Sequence, residues 1–171
     1  SWNGAILQSL SHGFMTALFF ALIGMIYGRT HTRDITKLGG LLKVMPFISV
    51  IYVIAGLASL GLPGFSGFVA EMNIFVGAFQ HEEMFYRVAT VISVSAIVVT
   101  AVYILRVLGI MLMGEVKNEE YLHLPKATWF EITGILLLLI PMLGMGVAPL
   151  WLSDMTMESL QPFIQGVLNH L

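Results

Sequence analysis

The 171 residues include no cysteine. That excludes disulfides, thiolate-held iron–sulfur clusters and cysteine nucleophiles within the chain. Charge is also scarce: Asp, Glu, Lys and Arg make up 11% of residues, where a soluble domain carries about 25%. Hydrophobic residues reach 57% and the mean hydropathy is +0.88, so the main solvent is lipid. A net charge of -2 gives a nucleic-acid partner no electrostatic support. The chain has no phosphate loop, nucleophile elbow or dinucleotide fingerprint, and no metal-ligand spacing surrounds His31 or His123. Its eleven methionines read as gap-fillers. No cleavable signal peptide is visible, because Gly4 to Tyr27 lacks a basic start and ends in a basic loop. The length suits one membrane domain, residues 1–171. A first residue that is Ser, followed almost at once by an apolar stretch, suggests the C-terminal piece of a longer polytopic protein.

What is present is an all-α pattern of four membrane spans. Gly4 to Tyr27 has no Lys, Arg, Asp or Glu and exceeds the roughly 20 residues that a crossing helix needs. Its polar residues Gln8, Ser9, His12 and Thr16 share one arc of the helix, and that stripe is expected to face other helices. A basic loop, Gly28 to Lys43, follows. Val44 to Gln80 holds a single charge, Glu71, and is interrupted by Gly61-Leu62-Pro63-Gly64-Phe65-Ser66-Gly67. One straight helix would be about 55 Å long, too long for a core of about 30 Å, while each half alone is too short. Charge decides between the alternatives. One broken crossing puts seven Lys and Arg residues on the basic side against Arg87 alone, whereas two crossings split them five to three. The positive-inside rule favours a single discontinuous span, broken near residues 61–67. Val88 to Met113 is the third span and Ile132 to Leu152 the fourth. The fourth carries so little polarity that it is expected to face lipid most broadly. The tail, Ser153 to Leu171, is expected at the outer surface.

A carboxylate in such a run is costly, about 2.5–3.5 kcal/mol at a helix centre, and by default marks function. Glu71 has no cationic partner within the spans except Arg106 near an end, so function is favoured over structure. Its place just past a helix break also fits, since irregular backbone at membrane depth lines cavities. Proton conduction requires titratable groups joined by polar side chains or water. Glu71 and His12 are the only Asp, Glu or His deep inside the spans, and histidine titrates near neutrality. Ser9 and Thr16 on the first span, and Ser93, Thr100 and Tyr103 on the third, could carry bridging waters. The alternatives stay open at this stage. His12 could be an interhelical strut, the hydroxyl faces could serve packing, and Gly61, Gly64 and Gly67 could simply permit close approach.

Several strings together resemble a known family. They are Leu10-Ser11-His12-Gly13, Tyr27-Gly28-Arg29-Thr30-His31-Thr32-Arg33-Asp34, Gly39-Gly40-Leu41, Gly61-Leu62-Pro63-Gly64, Gly67-Phe68-Val69 and Glu71. The chain is similar to the antiporter-like, proton-pumping membrane subunits of respiratory complex I (NADH-quinone oxidoreductase), in their subunit M branch, the counterpart of mitochondrial subunit 4. The resemblance covers nearly the whole chain and is weakest after Gly114 and in the tail.

The resemblance implies the last four helices of a fourteen-helix subunit built from two inverted five-helix repeats. Glu71 would be the terminal proton-carrying residue in the broken helix of the second repeat, and His12 part of the hydrophilic axis. The Glu–Lys pair and bridging Lys of such subunits are absent here, and Ala70 stands where Gly often precedes the Glu. No cofactor is expected in this chain; NADH, FMN, iron–sulfur clusters and quinone would belong to partner subunits. The implied partners are other membrane subunits of the complex, the bilayer, protons and internal water. The implied location is the inner (plasma) membrane, multi-pass, with the C-terminus on the outer side. Rival readings are a chain of a multisubunit cation/proton antiporter, of a membrane-bound hydrogenase or of a plastoquinone-reducing complex, and a non-catalytic membrane scaffold.

Overall fold

The computed structural model describes residues 2–149 together with 154, 155, 158, 162 and 166. Six helices follow in order: α1 Trp2–Thr30, α2 Leu41–Val44, α3 Pro46–Ser59, α4 Ser66–Phe79, α5 Met84–Leu112 and α6 Trp129–Val147. A 3-10 turn, Glu119–His123, lies between α5 and α6. Three helices are long and apolar enough to cross a membrane, Asn3–Thr30, Met84–Leu112 and Trp129–Val147, and the other two apolar helices are too short to do so alone.

The short pair makes one crossing. α3 and α4 have 14 residues each, about 21 Å apiece. Both lie antiparallel along α1. The Phe19 ring meets Tyr52 edge-on at 5.4 Å, Ser11 bonds Ser66, and Gly4 packs on Ile74. As α1 runs forward, its neighbours therefore run backward from α4 into α3, and the two half-helices share the single depth that α1 spans.

The break is shorter than the sequence suggests. Only residues 60–65 leave the helix, while Ser66 and Gly67 already belong to the first turn of α4. Gly61 (φ 62°) and Gly64 (φ 98°) adopt left-handed backbone, which costs a side-chain-bearing residue roughly 1–2 kcal/mol. Pro63 between them supplies no N–H to continue a ladder. A second interruption was not anticipated. Met45 (φ -132°, ψ 63°) separates α2 from α3, because the residue before a proline is pushed out of the helical region and Pro46 then opens the next helix. The fourth span begins earlier than expected, at Trp129, where Thr128 and Glu131 form a capping box; residues 150–152 of that expected span lie outside the described residues, as does most of the tail.

Two loops close one end of the bundle. The N–H of Gly40 donates to the Met113 carbonyl at 3.0 Å, and Lys117 Nζ donates to the Thr36 carbonyl at 2.6 Å. Arg29 donates to the carbonyls of Pro125 and Lys126 and grips both Glu131 oxygens at 2.9 and 2.7 Å. The basic loop after α1 and the loop after α5 thus lie on the same side, as a single broken crossing requires. Arg87 sits past the far end of α4, where it donates to the His81 carbonyl.

α1 packs on α3, α4 and α6, and the core is built from Leu18, Leu22, Tyr52, Ala55, Ile135 and Met142, among others. The fourth span, expected to face lipid most broadly, is not the least covered helix among the described residues. α6 buries Ile135, Leu139, Met142 and Met145, and α5 is the exposed helix, with 6% of its apolar window covered by the described residues against 22% for α6. Lipid tails are as apolar as a core, so apolarity alone does not tell which helix lies outside.

Candidate functional site at the helix break

Glu71 stands one turn into α4, half-buried. Its carboxyl turns back onto the break: a methyl group placed on Gly61 would collide with the carboxyl, lying 3.0 Å from its Cδ and 3.3 Å from Oε1. Gly61 is favoured by its left-handed φ, and a side chain there would also push the carboxyl off its resting place. The carboxyl has no hydrogen-bond partner and no cationic partner among the described residues. Arg29–Glu131 is the ion pair found there. The carboxyl lies instead beside backbone that has left the helix, where the last carbonyls of α3 are met by short local bonds from Ser59 Oγ and the N–H groups of Leu60 and Gly61.

Gly67 lies where the segments meet, at ordinary van der Waals distance. A methyl group there would sit 3.4 Å from the Ala58 carbonyl, 3.7 Å from Ser11 Oγ and 3.9 Å from Gly61 Cα. Ser11 and Ser66, each 4% exposed, share a hydrogen bond of 2.6 Å in which either hydroxyl can donate. The bond ties the start of α4 to α1, one residue before His12 and five before Glu71. Sequence reasoning quoted both serines in motifs without assigning them a role; the pairing becomes visible only when α1 and α4 are laid together. A third approach comes from α6. A methyl on Gly146 would strike the Gly64 carbonyl and come within 2.5 Å of the carbonyl carbons of Gly64 and Phe65. Three helices thus converge on six non-helical residues, and glycine supplies the room at Gly61 and Gly146.

The polar stripe of α1 does not act as one face. Gln8 has a carbonyl oxygen buried in the bundle, and Ser11 is buried against α4, whereas Ser9 and His12 are exposed and Thr16 is half-exposed. The expectation that the whole stripe faces helices holds, among the described residues, only for its Gln8 edge. The side-chain hydroxyls of Ser9, Thr16, Ser93 and Thr100 each donate to the carbonyl four residues back. Ser93 and Tyr103 are exposed on α5 and Thr100 half-exposed. The structure brings Gly61, Gly67 and Glu71 together and places Pro63 and Gly64 in the same turn. It does not gather the α5 hydroxyls there. No group of three or more His, Cys, Asp or Glu that could hold a metal occurs among the described residues.

The fold that carries this site has known counterparts. A family model described as NADH:quinone oxidoreductase/Mrp antiporter, transmembrane, matches residues 1–100. The chain belongs to this family. Among relatives of the NADH:quinone oxidoreductase/Mrp antiporter family, NADH-quinone oxidoreductase subunit M of Rickettsia felis is 35% identical over 147 residues, which are 86% of this chain and 29% of that protein. The NAD(P)H-quinone oxidoreductase chain 4 3 of Trichormus variabilis is 38% identical over 154 residues, 86% of this chain and 28% of that one. The chain therefore spans less than a third of the length of these relatives. Two solved structures share the fold. The Mrp complex from Dietzia sp. matches with a TM-score of 0.75 at 19% identity, covering 89% of this chain and 36% of that one. Respiratory complex I from Thermus thermophilus with bound NADH matches with 0.63 at 25% identity, covering 86% and 32%. Within this family the chain is an all-helical, multi-pass membrane segment with one discontinuous crossing.

Proposed function

We propose that the chain works as the C-terminal part of a proton-translocating, antiporter-like subunit of an NADH-quinone oxidoreductase, in which Glu71 is the residue that takes up and releases the proton. The single observation that carries this reading is the acid in a membrane span, turned onto Gly61 at the helix break, with no cation beside it among the described residues. An acid so placed has no structural partner to justify its cost, and a group that must bind and lose a proton needs a site where neither form is locked. His12 would pass protons along the membrane from the rest of the subunit. Its exposed side of α1 points away from the described helices, toward where further helices of a longer subunit would lie.

Electron transfer from NADH to quinone, and the cofactors it uses, would belong to partner subunits. Other membrane subunits of the complex are the partners. The chain sits in the inner (plasma) membrane with its basic loops inside and its C-terminus outside. An Mrp-type antiporter chain is the second reading. It is favoured by the fold likeness to the Dietzia complex, but the 35–38% identity to subunit M and chain 4 sequences weighs toward the quinone-reducing branch.

The test is made in the full-length subunit within its complex. Glu71→Ala is expected to abolish proton translocation while NADH oxidation and assembly persist, and Glu71→Asp to retain part of it. Translocation in the Ala variant at the wild-type rate would refute the assignment.

A further inference from the structure

One polar atom is left over by the site as described. Gln8 Oε1 is withdrawn from solvent and has no hydrogen-bond partner. Buried side-chain acceptors are nearly always paired, and an exception calls for a reason.

The register of α1 against α4 supplies one. Gly4 packs on Asn73 and Ile74, and Ser11 packs on Ser66 and Gly67. Gln8 lies four residues after Gly4 and three before Ser11, which places it on the same stripe of α1. Glu71 lies four residues after Gly67 and three before Ile74, on the corresponding stripe of α4. The two stripes are the ones in contact. Leu7 and Ala70, both buried, fill the middle of the seam, and Gln8 and Glu71 are the half-buried polar residues on its flank, between the glycine contact at one end and the serine pair at the other.

We propose that Gln8 is the positioning residue of Glu71: the two side chains are not bonded while the carboxyl rests on Gly61, and when the carboxyl swings off Gly61 toward α1 the Gln8 amide is the hydrogen-bond partner it meets in either protonation state. The chemistry suits an amide better than a hydroxyl or a cation. A protonated carboxyl donates its O–H to the amide oxygen; a carboxylate accepts from the amide N–H2 once the amide has turned over. A lysine or arginine would hold the charged form alone. The amide does not titrate, so Gln8 carries no proton. It keeps the carrier aligned with the seam while the proton arrives and leaves.

This inference rests on the reading of Glu71 as the proton carrier, and the experiment separates the two. In the full-length complex, Gln8→Met keeps an unbranched side chain of similar length and removes the amide. Assembly is followed on native gels, proton translocation in proteoliposomes, and the Glu71 acid by the infrared carbonyl band that disappears in Glu71→Gln. The expected result is normal assembly, a fall of about ten-fold in translocation rate, and a carbonyl band at higher frequency because the acid has lost its acceptor. Gln8→Asn, which holds the amide one methylene further back and serves where Met disturbs assembly, lowers the rate less and moves the band less. An unmoved band in either variant, or wild-type translocation in assembled Gln8→Met, overturns the inference. If Glu71→Gln translocates normally, the reading of Glu71 falls with it; if Glu71→Gln is silent while Gln8→Met is normal, only the role of Gln8 falls.

Discussion

At the residue scale, the density of constraint on Gly61 stands out. Its backbone is left-handed, and the space a side chain would fill is taken by the Glu71 carboxyl. Gly61→Ala should therefore act in two separable ways. Left-handed strain costs about 1–2 kcal/mol, a loss the assembled complex can tolerate and that a thermal-inactivation series would register. Displacing the carboxyl has no such tolerance, because its path depends on where it can reach. Proton translocation should fall much further than thermal stability, and equal losses in the two assays would show that the carboxyl does not rest there. Glu71 itself was legible in the sequence: one charge in 37 residues, Val44 to Gln80, just past a Gly/Pro break. Gln8 was read as one more member of a polar stripe, and nothing in a single strand of sequence distinguishes it from Ser9 or His12. That distinction comes from the packing of α1 in the bundle, which buries the Gln8 oxygen and leaves Ser9 and His12 exposed.

At the element scale, the broken crossing is held in place by its neighbours more than by its own hydrogen bonds. Neither half-helix is long enough to cross alone, and the residues between them bond only locally, Gly61 N–H to the Ala58 carbonyl and Phe65 N–H to the Leu62 carbonyl. α1 fixes one side of the junction through Ser11 and Ser66, and α6 fixes another through the close approach of Gly146 to Gly64. Gly146→Val places a branched side chain where backbone carbonyl carbons already lie within 2.5 Å of a single methyl. Either α6 shifts or the break does. Overpacking of this kind costs about 1–3 kcal/mol, and the expected outcome is reduced assembly on native gels, with Gly146→Ala affected less. Wild-type levels of the Val variant would mean that α6 does not abut the break. Sequence reading placed α6 as the most lipid-exposed span, because it saw apolarity and no polar face. The structure shows a helix whose value lies in its glycine, a feature that has no hydropathic signature.

At the scale of the whole molecule, sidedness is fixed by contacts as well as by charge. Arg29 is 7% exposed and Glu131 28%, so their bidentate pair lies partly out of water at the basic end, where it joins the end of α1 to the start of α6. Removing one partner leaves the other uncompensated. Arg29→Ala or Glu131→Ala should each destabilise by about 1–3 kcal/mol, while Arg29→Met/Glu131→Leu, which removes both charges and keeps bulk, should cost less than either. Detergent-unfolding midpoints of the purified complex provide the measurement, and strictly additive losses would argue against the pair. The same end carries the loop contacts Gly40–Met113 and Lys117–Thr36, which agree with the charge count that chose one broken crossing over two.

The sequence by itself determined the class of the molecule. Length, apolar runs and charge asymmetry admit only helices in lipid, since a chain in hydrocarbon must satisfy its backbone internally, and they set the number of crossings and the position of the buried acid. The tertiary structure alone decided which faces meet: that Ser11 turns to α4 while His12 turns away, that α5 is less covered than α6 among the described residues, and that the carboxyl of Glu71 folds back on Gly61. The physical reason is the same in each case. In lipid, hydrophobicity drives a helix into the membrane but does not choose its neighbours; that choice is made by local fit, through absent methyl groups and paired hydroxyls that are specified only when two helices are side by side.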